Sequence, residues 1–428
     1  VEDWNGVIRG FLSHGTQTPH HLGRVLDAAP DFALGHAAKG LFSLMMGRAE
    51  LIAPARAAYQ AASAAGARDV RSLSWIRALG AWLQGRPTEA IAAMEDVLRA
   101  HPTDTLSAKV SHAIRFILGD SHGMRASVER VLGAHDGHAL EGYLLGCHAF
   151  TLEETGDYAG AERAGRAGLA LCPDDAWGLH AVAHVYDMTA RPGEGIALIE
   201  DNLAAWDHCN NFRTHVWWHK ALLHLDQGDV DRVVEIYDQE VRADKTDDYR
   251  DIANATSLLM RLELEGRDVG SRWDELGALA AARTDDGCLV FADLHYMLAL
   301  SGAGQVEPRG NLLLRTASDA TRPGPMNEIK ADPGLAAMAG LEAFAEHRWD
   351  QAFQNLAAAR RTIQTIGGSH AQRDVFERMT IDAGLRAGRL ERTAQILDER
   401  TALRAGHEDR FAATRRAALD AAQRGAAA

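Results

Sequence analysis

The chain has 428 residues, with 45 Lys+Arg against 59 Asp+Glu, a formal charge of −14 with histidine neutral. That balance argues against nucleic acid and against an anionic membrane surface as partner, and no run of about 18 apolar residues exists to span a bilayer. Alanine occupies 77 positions against 11 prolines, apolar residues make up 46%, and period-two runs of β-branched and aromatic residues are almost absent, so close-packed helices are expected rather than strands.

The opening segment VEDWNGVIRGFL is acidic and does not resemble a signal peptide. The four cysteines, Cys147, Cys172, Cys209 and Cys288, include no C-x-x-C pair and are too few for a disulfide framework. A reducing, cytoplasmic setting is the expectation.

Along the chain, helical apolar runs end at a glycine or a similar break followed by a polar residue, and a second helix then begins. The marks fall at Gly47, Gly85, Gly119, Gly156, the stretch Arg191 to Gly193, Gly228, Gly266, Gly302 to Gly304, His347 and Gly388. From Gly47 to Gly388 is 341 residues over nine intervals, a mean near 38. Several marks carry an alanine five residues later, as at Ala90, Ala161 and Ala352. This is the pattern of stacked helical hairpins, each too small to bury its own apolar face. The tetratricopeptide period is 34, with small residues where two helices touch and a proline after the second; Pro102 and Pro173 fit that place. The expected fold is all-α: one right-handed superhelix (α-solenoid) of about ten tetratricopeptide-like hairpins over residues 1–428. The stretch Ser301 to Pro333, with Pro308, Pro323, Pro325 and Pro333, reads as a loop interrupting it. The final AALDAAQRGAAA reads as a fraying helix tail.

Two segments concentrate chemistry. HAVAHVYDM (His180 to Met188) and HVWWHKALLH (His215 to His224) each hold His-x-x-x-His, which stacks two imidazoles one turn apart on a helix face. His180 to His215 and His184 to His219 are each 35 residues, one repeat. Leu179, Val182, Ala183 and Tyr186 fall on the packing stripe, which places His180, His184 and Asp187 on the opposite, groove-facing one. Three uses are open to this cluster: hydrogen-bonded groove residues, a ligand site with histidine as acid, base or anion donor, or a zinc site on His180, His184, His215 and His219. H-E-x-x-H is absent, since Ala181 and Val216 follow the first histidine of each pair, so the zincin mechanism is not expected.

Further along, FADLHYMLAL carries Asp293 and His295, two residues that point to different faces of a helix. IQTIGGSHAQRDVFERM places a Gly-Gly-Ser turn before a helix with Arg373 and Asp374 in its first turns. Its N-terminal N–H groups are open to an anion, or to an ordinary cap by Ser369 with Arg373 paired to a surface carboxylate. Trp217, Trp218 and Trp273 read as inter-helix packing.

Together, HPTDTLSAKVSH (His101 to His112), DAWGLHAVAH (Asp175 to His184), HVWWHKAL (His215 to Leu222), RLELEGRDVGSRW (Arg261 to Trp273), FADLH (Phe291 to His295) and GGSHAQRDVF (Gly367 to Phe376) resemble the tetratricopeptide repeat protein 38 family, in the same order over nearly the whole chain. The resemblance implies an all-helical repeat fold. It also implies that His112, His180, His184, His215, His219, His295, Arg373 and Asp374 belong to the family pattern. Family members tend to carry Glu where Asp187 stands and Asn where His370 stands.

The combined expectation is a small anionic or carbonyl-bearing ligand held in a histidine-rich concave pocket. If the protein is an enzyme, hydrolysis or elimination is expected. His184 or His219 would be the base, Asp187 would orient an imidazole, His180, His215, His295, His112 and Asp374 would contact ligand, and Arg373 would hold an anion. No cofactor is required by that chemistry, zinc being the one considered. The alternative is a non-catalytic scaffold that binds a partner protein along the groove. Neither G-x-G-x-x-G after a strand nor G-x-x-x-x-G-K-[ST] occurs.

Overall fold

The computed structural model describes residues 1–427, which are helical nearly throughout; among them the β-pairing is a single isolated bridge between Gly15 and Cys209. They form two compact units: Val1–Val182 with Glu200–Arg213, and Ala183–Ile199 with Thr214–Ala428.

In the first unit consecutive helices pair as hairpins: Glu2–Leu12 with Thr18–Ala28, Ala33–Met45 with Ile52–Ala64, Val70–Leu83 with Pro87–Ala100, Thr105–Ile117 with Ser121–Leu132, and Glu141–Glu154 with Tyr158–Leu171. In the second, Tyr249–Leu264 pairs with Arg272–Ala281, Val290–Gly302 with Val306–Ala320, Leu335–Ala345 with Trp349–Ala359, and His370–Arg386 with Leu390–Leu403, which also packs on the closing helix Arg410–Ala427. This is the all-α solenoid architecture read from the spacing of the marks.

The marks are the helix ends. Gly47, Gly85, Gly119, Gly156, Gly228, Gly266, Gly304 and Gly388 all have φ between 62 and 86°, the left-handed conformation that closes a helix and turns the chain back at little cost in glycine. Ala190 and His347 take the same conformation, at φ 52 and 57°, without being glycine. Starts are marked as clearly: the side chains of Asp69, Asp104, Asp120 and Asp157 each accept from a backbone N–H three residues on, which satisfies one orphan donor of the first turn.

Small residues set the helix spacing. A Cβ on Gly168 would lie 2.7 Å from the carbonyl oxygen of Gly142, and one on Gly165 would lie 2.4 Å from Val182. Around Trp75, Leu79, Met94, Val97, Val110 and Ile114 the first unit closes an apolar core.

One expectation is corrected. The proline-bearing stretch 301–333 is not a loop: Val306–Ala320 is a helix that buries Arg309, Leu312 and Thr316. Pro308 sits in its first turn, where a missing N–H costs nothing. Pro325 opens the short helix Pro325–Ile329, and Pro333 follows a cis peptide bond.

Candidate functional site

The second unit brings three of the predicted histidines together. His184, on the Ala176–Met188 helix, and His219, on the Phe212–Gln227 helix, pack ring against ring with centroids 4.4 Å apart. One turn earlier, the Nε2 of His215 lies 3.2 Å from the Nε2 of His219, and its Nδ1 lies 3.0 Å from Oδ1 of Asn254. An amide oxygen only accepts, so His215 donates from Nδ1 and its Nε2 accepts from His219. Burial drives His215 down to about 3 and His219 well below the ordinary histidine value, with neighbouring positive charge adding to the effect. These imidazoles are neutral at physiological pH. As metal ligands, His215 and His219 would supply two nitrogens at a separation that one zinc ion, at about 2.0–2.1 Å from each, could bridge, with Asn254 as the outer partner of His215.

The exposure of His184 and His219 corrects the sequence reading. They are 0 and 2% exposed, so they are core residues of their helices rather than the lining of an open groove. Asp187 is corrected as well. Its carboxylate stands 3.4 Å from the Arg404 guanidinium, which also donates to its backbone carbonyl. It pairs with arginine, not with an imidazole.

In the first unit His180 lies among Phe150, Trp177 and Phe212, with centroids 5.1–5.7 Å away. His112 meets the edges of Phe150 and Trp177 at 5.7 and 5.5 Å. Burial, with Lys109 and Arg115 nearby, lowers it well below the ordinary value.

His295 is buried between Phe291 and Phe376 and donates from Nδ1 to the Phe291 carbonyl at 2.7 Å; burial brings it down to about 4. Asp293 points elsewhere, to Arg315 at 2.6 Å, as their spacing on one helix requires. Trp218 and Trp273 are buried packing residues whose indole N–H groups reach Ser257 and Glu263.

A cavity of about 370 Å³ opens in the second unit, and its lining is rich in arginine rather than histidine. Arg360, Arg361, Arg373, Arg400 and Arg404 face it with three carboxylates, Asp187, Asp374 and Glu377; Met188, Leu356, Ile363, Phe376 and Leu403 supply apolar wall. The predicted residues Arg373, Asp374 and Asp187 belong to this cavity, as does His370; His184, His215, His219 and His295 do not line it. Its floor is the start of the His370–Arg386 helix. Gly367 and Gly368 have φ 83 and 77°, and Ser369 and Gln372 form a reciprocal capping box. Arg373 donates back to the carbonyl oxygens of Gly367 and Gly368, which fixes the turn.

Two guanidinium groups are committed to carboxylates. Arg360 holds Glu377 and Glu399, and Arg400 holds Asp374 and Asp409. Burial alone would raise Asp374, but Arg400 and Arg378 hold it well below the carboxylate range. Arg361 is exposed at the rim with no ion pair among the described residues. Arg404 is 3% exposed, and its Nε has no acceptor.

The sequence reading missed these arginines because no short motif joins Arg360, Arg400 and Arg404. It also missed Arg261, although Arg261 opens one of the matching segments. Arg261 is 1% exposed, lies over the Trp218 ring, and donates to the backbone carbonyls of Ser257 and Ala371. Burial lowers it to about 9.

No family model matches the chain. Among solved structures it is similar to a human IFIT1 dimer with PPP-AAAA, at 16% identity over 88% of each chain with a TM-score of 0.41. It is also similar to yeast Tom70, at 12% identity over 97% of this chain and 86% of that one, TM-score 0.37. A third is the P58(IPK) TPR domain, at 13% identity over 79% of this chain and 94% of that one, TM-score 0.23.

Proposed function

We propose that this chain is a helical-repeat binding protein whose second unit takes a small anion, a carboxylate or a phosphate compound, in the arginine-lined cavity. The observation that carries this reading is the charge of the lining: five guanidinium groups against three carboxylates, in a chain whose overall charge is −14. Planar guanidinium forks bind carboxylate and phosphate oxygens in pairs, and a partly enclosed apolar wall strengthens each contact. Arg361, exposed and without an ion pair among the described residues, is a donor that the lining leaves open to a ligand.

Binding is favoured over hydrolysis or elimination. His219, a candidate base, is held well below the ordinary histidine value by burial, which makes it a weak base. A partner-protein reading draws on one further observation: Leu403, 51% exposed, stands on the same rim as Arg361. An acidic chain end with an apolar neighbour would fit that pairing. The four cysteines are unpaired, which accords with a reducing compartment, and no helix among the described residues is long and apolar enough to cross a membrane.

The test is calorimetric titration with inorganic phosphate and with citrate at low ionic strength, on the wild type and on Arg361→Ala. The wild type is expected to bind one of them, and the variant about fivefold more weakly, about 1 kcal/mol. Binding of neither, with binding of an acid-ended peptide instead, would favour the partner-protein reading.

A further inference from the structure

Arginine carries almost all of the positive charge in this chain. Of the 45 basic residues only five are lysines: Lys39, Lys109, Lys220, Lys245 and Lys330. Lys39 and Lys245 are exposed. Lys330 is buried and paired with Asp319 at 2.8 Å. Lys109, on the first unit's Thr105–Ile117 helix, is 5% exposed and forms no ion pair with a carboxylate among the described residues. Its Nζ lies 4.1 Å from the centre of the Trp177 ring.

The surroundings of Lys109 are polar in a way that packing does not explain. His112, one turn further along the helix, is 2% exposed, and neither of its ring nitrogens has a hydrogen-bonding partner; the Trp177 indole N–H has none either. Buried polar groups left in this condition ordinarily meet a ligand or water. Asp175, wholly buried, sits in a cradle of two glycines. A Cβ on Gly146 or Gly178 would come within 2.0 or 2.4 Å of its Oδ2. Asp175 and Cys147 are the acidic groups that reach Lys109, Cys147 through a side-chain hydrogen bond and with its thiol held protonated by burial; His112 and Arg115 share its helix.

We propose that Lys109 is a reactive amine of the first unit that forms an imine with a small carbonyl compound. The neutral nitrogen adds to the carbonyl carbon. The C–N bond forms, and the nitrogen's proton passes to the oxygen, giving a carbinolamine. Loss of water then breaks the C–O bond and leaves C=N, with no oxidant or reductant involved. Burial favours the neutral amine by penalising its charged form, against the opposing pull of Cys147 and Asp175. The His112 ring offers one donor and one acceptor to the carbinolamine oxygen. Asp175, raised by burial to about 7, is matched to moving the proton at neutral pH.

The test is reductive trapping of the full-length protein with propanal and cyanoborohydride at pH 7, read lysine by lysine by mass spectrometry. Lys39 and Lys245 are the exposed comparators in the same molecule. Lys109 is expected to be labelled severalfold faster than either, because burial leaves a larger share of its amine uncharged at pH 7. Lys109→Arg is expected to keep the helical circular dichroism, confirming that the label reports this side chain. Labelling of Lys109 at or below the rate of Lys39 and Lys245 overturns the proposal.

Discussion

Arg404 reaches Asp187 across 217 residues of sequence: it donates to the Asp187 backbone carbonyl and stands 3.4 Å from its carboxylate. The contact ties the end of the His184 helix to the turn after Leu390–Leu403. Beside it lies a buried network in which Asp409 accepts from Arg400 at 2.9 and 2.6 Å and from Arg378 at 3.0 Å, and caps the closing helix through the Ala412 N–H at 2.9 Å. The arginine wall of the cavity is therefore held by carboxylates behind it.

Asp409→Asn tests that support. Asp409 is 1% exposed and Arg400 is 3% exposed, so the substitution leaves buried guanidinium charge undercompensated. The expected loss is about 3–5 kcal/mol in urea unfolding. A loss below about 1 kcal/mol would show that the network is dispensable.

Stability is expected to fall on acidification before any carboxylate network is titrated. His215 and His295 have folded values of about 3 and about 4, below the unfolded value of about 6.5. Between those limits the unfolded chain binds more protons, so their contribution is complete above about pH 6.5 and declines as pH falls. Asp175, raised to about 7, works in the opposite direction over roughly pH 4–7, but it is one group against several histidines. His295→Phe is expected to remove up to about 1.4 kcal/mol per pH unit from the slope between pH 6 and pH 4.5. An unchanged slope in urea titrations at those two pH values would contradict the assignment.

The sequence made the repeat legible because helix ends need a left-handed residue, and glycine supplies it at nearly every mark. Where Ala190 and His347 take that conformation, the signal weakens, and the mark near Arg191 falls one residue late. The proline-bearing stretch misled because Pro308 and Pro325 are first-turn residues, which sequence alone does not separate from loop prolines. For the site, i, i+4 spacing revealed the histidine pairs, but burial was misjudged. Neighbouring helices, rather than the helix's own stripe, decide what covers His184. The arginine cavity has no local pattern, since Arg361, Arg373 and Arg404 meet only through packing.

His184→Ala measures that misjudgement. A groove-facing histidine would lose about 1 kcal/mol or less. The wholly buried ring, tilted against that of His219, is expected to cost about 2 kcal/mol or more. Equal unfolding midpoints for variant and wild type would return His184 to the surface.

Gly168→Val tests the close helix approach in the first unit. Its Cβ would meet the Gly142 carbonyl oxygen at 2.7 Å, a backbone atom that cannot swing aside. A loss of about 1–3 kcal/mol is expected; a neutral result would show that the helices separate freely.

The central claim is that the arginine-lined cavity of the second unit holds an anion. Crystals soaked in tungstate give the most direct measurement, because its anomalous signal locates a phosphate-like anion without interpretation. The account predicts a peak inside the cavity within hydrogen-bonding reach of Arg361, Arg373 or Arg404, reduced in Arg361→Ala. Strong peaks elsewhere on the chain with none in this cavity would contradict it.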